Sequence, residues 1–293
     1  MKIGVVDVGS NTVRLLVASV GGGEVRSLRE ERAHLGLGEE ILRHGRVRRR
    51  KLEELAVVAT EFGRIAREHR VRQLETVVTA PGRQGDAPER LLQVLARATG
   101  GPVRIVSAED EGRLAYTGAV ARTDVGDEVV AVCDVGGGST ELVVGTALLG
   151  PAWVRSLDVG SLRLTASLLH GDPPTAAEIE RARASVREAL SALEPPHPGR
   201  ALGTGGSARA LARIVGGAYD ADALQQVIEL LASRPAELSA AQLAIPLHRA
   251  RTLLAGALVL AEVSRLLGVE LAPAKGGIRE GVALRLASER AAA

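Results

Sequence analysis

Cysteine is almost absent: Cys133 stands alone, which excludes a disulfide framework and any multi-cysteine metal site. Aromatic side chains are nearly as scarce. Phe62, Tyr116, Trp153 and Tyr219 are the whole set, so the cores must be assembled from Ala, Val, Leu and Ile. Base stacking on single-stranded nucleic acid is thereby disfavoured, and no DNA partner is expected. Lysine is confined to Lys2, Lys51 and Lys275, leaving 34 of the 37 basic residues as arginine. Arginine keeps its charge and grips phosphate or carboxylate with two parallel hydrogen bonds. An Arg- and Ala-rich genome produces the same bias, so composition proposes anionic ligands without proving them. The six histidines show no metal-ligand spacing. No uncharged apolar run approaches the roughly 20 residues that span a bilayer; the longest, Thr252 to Ala261, is about half that. The N-terminus runs straight into Lys2-Ile3-Gly4-Val5-Val6-Asp7 with no signal-peptide pattern. A soluble cytoplasmic protein with no membrane partner is expected.

What is present is a repeated pattern in 293 residues, a length that suggests two domains. Two β-branched runs each meet an Asp and then a Gly-rich turn: Ile3 to Asp7 with Gly9-Ser10-Asn11-Thr12, and Val129 to Asp134 with Gly136-Gly137-Gly138-Ser139-Thr140. Each is followed by a second apolar run, Leu15 to Val20 and Leu142 to Val144. Both read as strand, phosphate-sized turn, strand. The period is about 127 residues, the size of a domain rather than of a solenoid unit. We therefore expect domains at 1–121 and 122–293, with the last helix free to pack back on the first and a cleft between the two.

Helix and strand signals alternate through the rest. Leu52, Leu55, Ala59, Phe62 and Ala66 recur at helical spacing after the basic run Arg46 to Lys51. Short strands at Thr76 to Val78 and Val103 to Val106 bracket a helix from about Pro88 to Ala98. Pro173-Pro174 reads as the opening of a helix that runs to about Leu193. Later helices span roughly Gly205 to Val215, Ala221 to Ala232, His248 to Leu267 and Ile278 to Arg290. The pattern is α/β in both halves.

The two turns can aim several backbone N–H groups at one point, because glycine accepts unusual dihedrals and lets an anion approach closely. Neither matches the dinucleotide or Walker fingerprints. An Asp beside a phosphate turn repels the ligand unless a cation lies between them, so Asp7 and Asp134 imply Mg²⁺ or a relative such as Mn²⁺. In Ser107-Ala108-Glu109-Asp110-Glu111, the serine suits an N-cap, and Glu109 and Asp110 suit the positive end of a helix. Glu111 falls about 100° further round, where it could orient a water. Glu141 directly follows the second turn and becomes a second acid if metal and phosphate are near. Thr204-Gly205-Gly206-Ser207 opens a helix after a short strand, a second kind of anion site. Arg83, in what reads as a loop after a strand, could clamp phosphate; Arg46 to Lys51 could track a polyanion or be merely solvated.

Together these segments resemble the exopolyphosphatase and guanosine pentaphosphate phosphohydrolase family of the actin-like, sugar-kinase and Hsp70 ATPase superfamily. Asp7 to Thr12 with Arg14-Leu15, Thr79-Ala80 with Arg83, Ser107 to Leu114, Asp134 to Leu142, Ser156 to Thr165, Gly203 to Ala212 and Gly277 to Gly281 match in order and nearly end to end. The resemblance implies two ribonuclease H-like (actin-like ATPase) domains. It also implies hydrolysis of terminal phosphate from inorganic polyphosphate or from a guanosine pentaphosphate, pppGpp. By position, Glu111 is then the general base and Glu141 the second essential carboxylate, Asp134 holds a divalent ion, and the two turns and Arg83 bind phosphoryl oxygens. A homodimer is expected because dimers are common in the family. The sequence departs from the family in three places. Ala80-Pro81-Gly82 stands where relatives usually have a Ser-Ala-apolar stretch. About one extra residue separates Glu111 from Asp134. The C-terminal helical domain of long members is lacking, which favours short chains as substrate. An ATP-binding kinase, an actin-like assembly protein and a non-hydrolytic polyphosphate or alarmone regulator are the competing readings.

Overall fold

The computed structural model describes residues 1–291 and divides the chain into two units, Met1–Thr123 with the last helix, and Asp124–Lys275. In the first unit β1 (Lys2–Val8), β2 (Thr12–Gly21) and β3 (Glu24–His34) form an antiparallel meander. After α1 (Leu37–His44) and α2 (Arg49–Glu68), β4 (Gln73–Val78) pairs parallel to β1. The short α3 (Ala80–Gln84) and α4 (Pro88–Thr99) lead to β5 (Val103–Ile105), and α5 (Ala108–Val120) follows. The sheet order is β3-β2-β1-β4-β5.

Alternation along the strands explains the two covered faces. Val6, Val8, Leu15 and Val17 point to one side and pack on Leu55 and Phe62 of α2 and Leu91 and Leu95 of α4. Ile3, Val5, Leu16 and Ala18 point to the other, toward Leu114 of α5. Asp7 has the same parity as Ile3 and Val5. Burying each such aliphatic side chain is worth about 1.5–3 kcal/mol.

The second unit repeats the plan. β6 (Val129–Val135), β7 (Thr140–Thr146) and β8 (Gly150–Leu157) form the meander. α6 (Ser161–Leu168) and α7 (Ala176–Leu190) precede β9 (Arg200–Thr204), which is parallel to β6. Then come α8 (Gly205–Val215), α9 (Ala221–Ala232), α10 (Ala236–Gln242), α11 (Leu247–Leu267) and β10 (Leu271–Pro273), giving the order β10-β9-β6-β7-β8. Strand for strand this is the topology of the first sheet. Both sheets have the ribonuclease H-like arrangement of the actin-like ATPase fold.

α11 is buried on nearly all sides and packs against α6, α7, α8 and α9. Its Glu262 would be a costly buried charge but for Arg183 and Arg187 of α7 and Arg265 of its own helix, whose nitrogens lie 3.2, 3.0 and 2.6 Å from its carboxylate. Among the described residues no helix is long and apolar enough to cross a membrane.

Two expectations change. Pro173-Pro174 does not open α7. Thr175 caps it instead, in a box where Thr175 Oγ1 accepts from the Glu178 N–H and Glu178 accepts from the Thr175 N–H. The second unit ends at Lys275 rather than 293, because the last helix, α12 (Ile278–Ala291), packs back on the first unit, the arrangement the expectation left open. Its Ile278, Val282 and Leu286 complete the Ile3, Val5 and Leu114 face.

α12 reaches that face only because glycine lines its crossing with α5. A Cβ on Gly118 would lie 1.9 Å from the Gly277 carbonyl oxygen, and one on Gly281 2.0 Å from that of Leu114. Gly118→Ala or Gly281→Ala should therefore cost about 2 kcal/mol or more in urea denaturation; an unchanged midpoint for both would mean the helices do not cross so closely.

Glu178 also closes the chain just before α7. Its carboxylate accepts from the N–H groups of His170, Gly171 and Thr175 and from the Thr175 hydroxyl, at 2.7–3.1 Å. These donors hold its pKa at about 2, below the ordinary 4.5. A lowered folded-state pKa means stability that is present above pH 4.5 and lost as pH falls toward about 2. Thermal melts through that window should show a steeper acid loss for the wild type than for Glu178→Gln; parallel curves would contradict it.

Candidate active site

In the first unit β1 ends in Asp7-Val8, and the chain reverses through Gly9, Ser10 and Asn11. The Gly9 N–H donates to Thr12 O at 3.1 Å. The Ser10 carbonyl accepts from Gly38 of α1, and the Asn11 carbonyl from Leu35 and Gly36, at 2.8–3.1 Å. With its carbonyls tied back, the turn leaves the Ser10 and Asn11 N–H groups without a carbonyl acceptor among the described residues. These are the donors an anion needs.

Asp7 is buried, and desolvation raises its pKa, opposed by Arg14 and Arg279 and reinforced by Glu280. Antiparallel register places Arg14 directly opposite Asp7. Arg279, at the start of α12, donates to Leu15 O at 3.2 Å and to Glu30 at 3.1 Å. Glu280 accepts from the Gly277 N–H at 3.0 Å.

Ser107 caps α5, accepting from the Asp110 N–H at 3.0 Å. Glu109 stays outside on Arg113, while Glu111 turns inward and is buried. Arg83 Nη1 donates to Glu111 Oε2 at 2.8 Å and to Val106 O at 2.9 Å. Arg83 lies on a helix, not in a loop. Pro81 suits the first turn of α3, and the Thr79 N–H and hydroxyl both donate to Val8 O, fixing the end of β4 to the end of β1. The Glu111–Arg83 pair is thus set from the same strand ends as the anion turn.

The second unit has the same turn with a different charge. The Gly136 N–H donates to Ser139 O at 3.0 Å, as Gly9 does to Thr12. The start of α6 ties back the carbonyls: Ser161 N–H to Gly136 O, and Leu162 and Arg163 N–H to Gly137 O, at 2.9–3.0 Å. A Cβ at Gly160 would lie 2.4 Å from Gly137 O, so glycine is required where this helix meets the turn. Thr140 donates to Val159 O. Opposite Asp134 in the β-ladder stands Glu141, 1% exposed, accepting from the Ser156 hydroxyl at 2.9 Å. Two carboxylates directly opposite on one face repel. The neighbouring Cys133 thiol is buried, and burial, Asp134 and Glu141 all push its pKa up, so it is inert.

At the end of β9, Gly205 adopts φ 89°, and a Cβ there would lie 2.7 Å from Asp134 Oδ1. The start of α8 thereby abuts the Asp134 carboxylate. Arg249 of α11 lies over Gly206, where a Cβ would meet its guanidinium at 2.2 Å, and donates to Ser207 Oγ at 3.3 Å. A helix N-terminus and a guanidinium therefore share one spot, both suited to an anion. Among the described residues no group of three or more His, Cys, Asp or Glu side chains is arranged to hold a metal ion. The Asp134–Glu141 pair could hold an ion such as Mg²⁺, which takes one or two carboxylates and fills its shell with water and phosphate.

The Ppx/GppA phosphatase family model matches residues 16–290. The chain belongs to this family. It is 29% identical to Exopolyphosphatase 2 of Mycobacterium tuberculosis over 98% of both chains. It is 31% identical to Exopolyphosphatase 1 of Mycobacterium bovis over 97% of this chain and 88% of that one. The crystal structure of the Aquifex aeolicus Ppx/GppA family member superposes with a TM-score of 0.84 at 26% identity, covering 99% of this chain and 98% of that one.

Within this Ppx/GppA chain, the predicted residues fall into two groups. Asp7, Gly9 to Thr12, Arg83 and Glu111 assemble in the first unit, and Asp134, Gly136 to Glu141 and Gly205 to Ser207 in the second. Sequence reasoning assigned no role to Arg14, Ser156, Arg249, Arg279 or Glu280. The hairpin register would have revealed Arg14; the others are joined to the site only by the fold. A double-mutant cycle with Glu111→Ala and Arg83→Ala should give a coupling of about 1 kcal/mol or more by urea denaturation. Additive losses would show that the two side chains do not meet.

Proposed function

We propose that this Ppx/GppA protein is an exopolyphosphatase that removes terminal phosphate from inorganic polyphosphate, with water as acceptor. The observation that carries this reading is Glu111, a carboxylate buried in the first turn of a helix and oriented by Arg83, in the same unit as a turn whose Ser10 and Asn11 N–H groups have no carbonyl acceptor among the described residues. Two relatives that bear the name exopolyphosphatase, aligned over 98% and 88% of their own length, support it.

In this reading Glu111 takes the proton of the attacking water, and Arg83, bonded to Oε2, keeps the carboxylate oriented. The Gly9–Thr12 and Gly136–Thr140 turns hold phosphoryl oxygens through backbone N–H groups already in place, so little reorganisation is needed as charge grows. The α8 start at Gly205 to Ser207, with Arg249, supplies a further hold on phosphate. Asp134 and Glu141 would hold Mg²⁺ or Mn²⁺, which would neutralise phosphate charge when bound. Asp7, the other metal candidate, already faces Arg14 and Arg279, which supply the neutralisation a cation would bring.

Removing a general base costs about 10²–10⁴-fold. Glu111→Gln should accordingly release phosphate from tripolyphosphate at least about 100-fold more slowly than wild type, with an unchanged circular dichroism spectrum. Near wild-type turnover would remove Glu111 from the role. Assaying pppGpp and ATP alongside tests the substrate: release from pppGpp with none from polyphosphate would overturn the polyphosphate reading.

A further inference from the structure

The basic run Arg46 to Lys51 has no part in the site described above, yet the fold gives it a setting. A groove of about 480 Å³ lies in the first unit between the start of α2, the end of α3 and the exposed face of α4. Five arginines line it, Arg46, Arg48, Arg49, Arg90 and Arg97, against a single carboxylate, Asp86. Arg48 and Arg49 are engaged by Glu40 and Glu53. Arg46, Arg90 and Arg97 make no ion pair or side-chain hydrogen bond among the described residues. Arg90 and Arg97 are two helical turns apart on one face of α4, about 10 Å along its axis.

Local backbone electrostatics add to the side chains. α2 starts at the N-cap Arg48 and α4 at the N-cap Ala87, neither with a side-chain cap, and both starts line the groove. Two positive helix ends thus converge where the arginines stand. Basic residues at a helix N-terminus oppose the dipole, and the first turn of α2 carries Arg49, Arg50 and Lys51 with no acid. That placement works against the helix, and an anion in the groove would relieve it. The floor, with Leu52 and Leu91, holds no aromatic ring, so bases have nothing to stack on. A linear polyanion without bases fits best.

We infer that this groove is a holding site for the distal part of a long polyphosphate chain, apart from the site of cleavage. The inference rests on the polyphosphate reading above. Pro81 and Gly85 line the groove, whereas Arg83, about 200° round the same short helix, reaches Glu111 on the other side. A chain held here is tethered at high effective concentration near the groups that act on its end. This gives the protein a grip on long chains that the short-chain expectation does not contain.

The test compares wild type with the triple variant Arg46→Gln, Arg90→Gln, Arg97→Gln. A charge-matched control carries Arg26→Gln, Arg32→Gln and Arg181→Gln. Phosphate release is measured from tripolyphosphate and from long-chain polyphosphate across a salt series, together with direct titration of long-chain binding. For the triple variant alone, kcat/KM and affinity for long chains should fall about tenfold, as three modest surface ion pairs predict. Its log–log salt dependence should flatten by about two units, at about 0.7 per phosphate contact, while tripolyphosphate kinetics stay within about twofold. Equal losses on both substrates, no loss on either, or the same loss in the control would overturn the holding site. If wild type releases phosphate from neither substrate, the polyphosphate reading fails; the binding titration still decides the groove, since equal affinity of wild type and triple variant would eliminate it.

Discussion

Each central strand of this protein ends in a carboxylate, and the antiparallel neighbour decides what that carboxylate faces. Asp7 faces Arg14, and Asp134 faces Glu141. The backbone around the two is nearly the same, down to the hydrogen bond from the glycine after the strand to the carbonyl three residues on. One side-chain difference therefore separates the two copies of the repeat. An acid opposite a guanidinium is neutralised internally, whereas an acid opposite an acid favours an added cation. The repeated fold supplies the turn twice, and the facing residue gives each copy its own chemistry.

The turns in turn depend on helices that follow at a distance. In the first unit α1 receives the Ser10 carbonyl, and in the second α6 receives those of Gly136 and Gly137. Tying back carbonyls is what leaves N–H groups without a carbonyl partner, so the donors of each turn follow from satisfying the other half of each peptide unit. This also explains where side chains are forbidden. Gly160 sits against Gly137, and Gly205 against Asp134, because helix starts must come within backbone distance of the turn. A protein with four aromatic residues builds its cores from small aliphatics, and its precision comes from such backbone approaches rather than from large rings.

Much of this was legible in the sequence for a physical reason. Glycine-rich turns between β-branched runs are strong signals, so both hairpins and the repeat were readable, and long amphipathic helices such as α2 announced themselves by period. The short helices α1, α3, α6 and α10 offer too few turns for periodicity to register, and Pro81-Gly82 reads as a loop although proline also suits a first helical turn. At the start of α7 the Pro173-Pro174 signal hides Thr175 and Glu178, the pair that makes the capping box. Within the site, Glu111 could be singled out from Glu109 and Asp110 by its angle on the helix. Arg279 and Arg249 could not be found locally, since their partners are brought to them by α12 and α11.

The arginine excess resolves along the same lines. Some guanidinium groups meet carboxylates along exposed helices, as Arg49 meets Glu53 and Arg43 meets Glu39, where lysine would serve about as well. Others are held in or near the interior with several acceptors at once: Arg83 on Glu111 and Val106 O, Arg183 on Glu262 and Gln225, Arg279 on Glu30 and Leu15 O. Lysine cannot replace these, because a rigid planar fork satisfies acceptors in fixed directions whereas an ammonium is a strongly hydrated point charge. The first group is interchangeable with lysine. The second is imposed by carboxylates and carbonyls that the fold has already positioned, and it is this group that ties the last helix to the first hairpin and keeps Glu111 oriented.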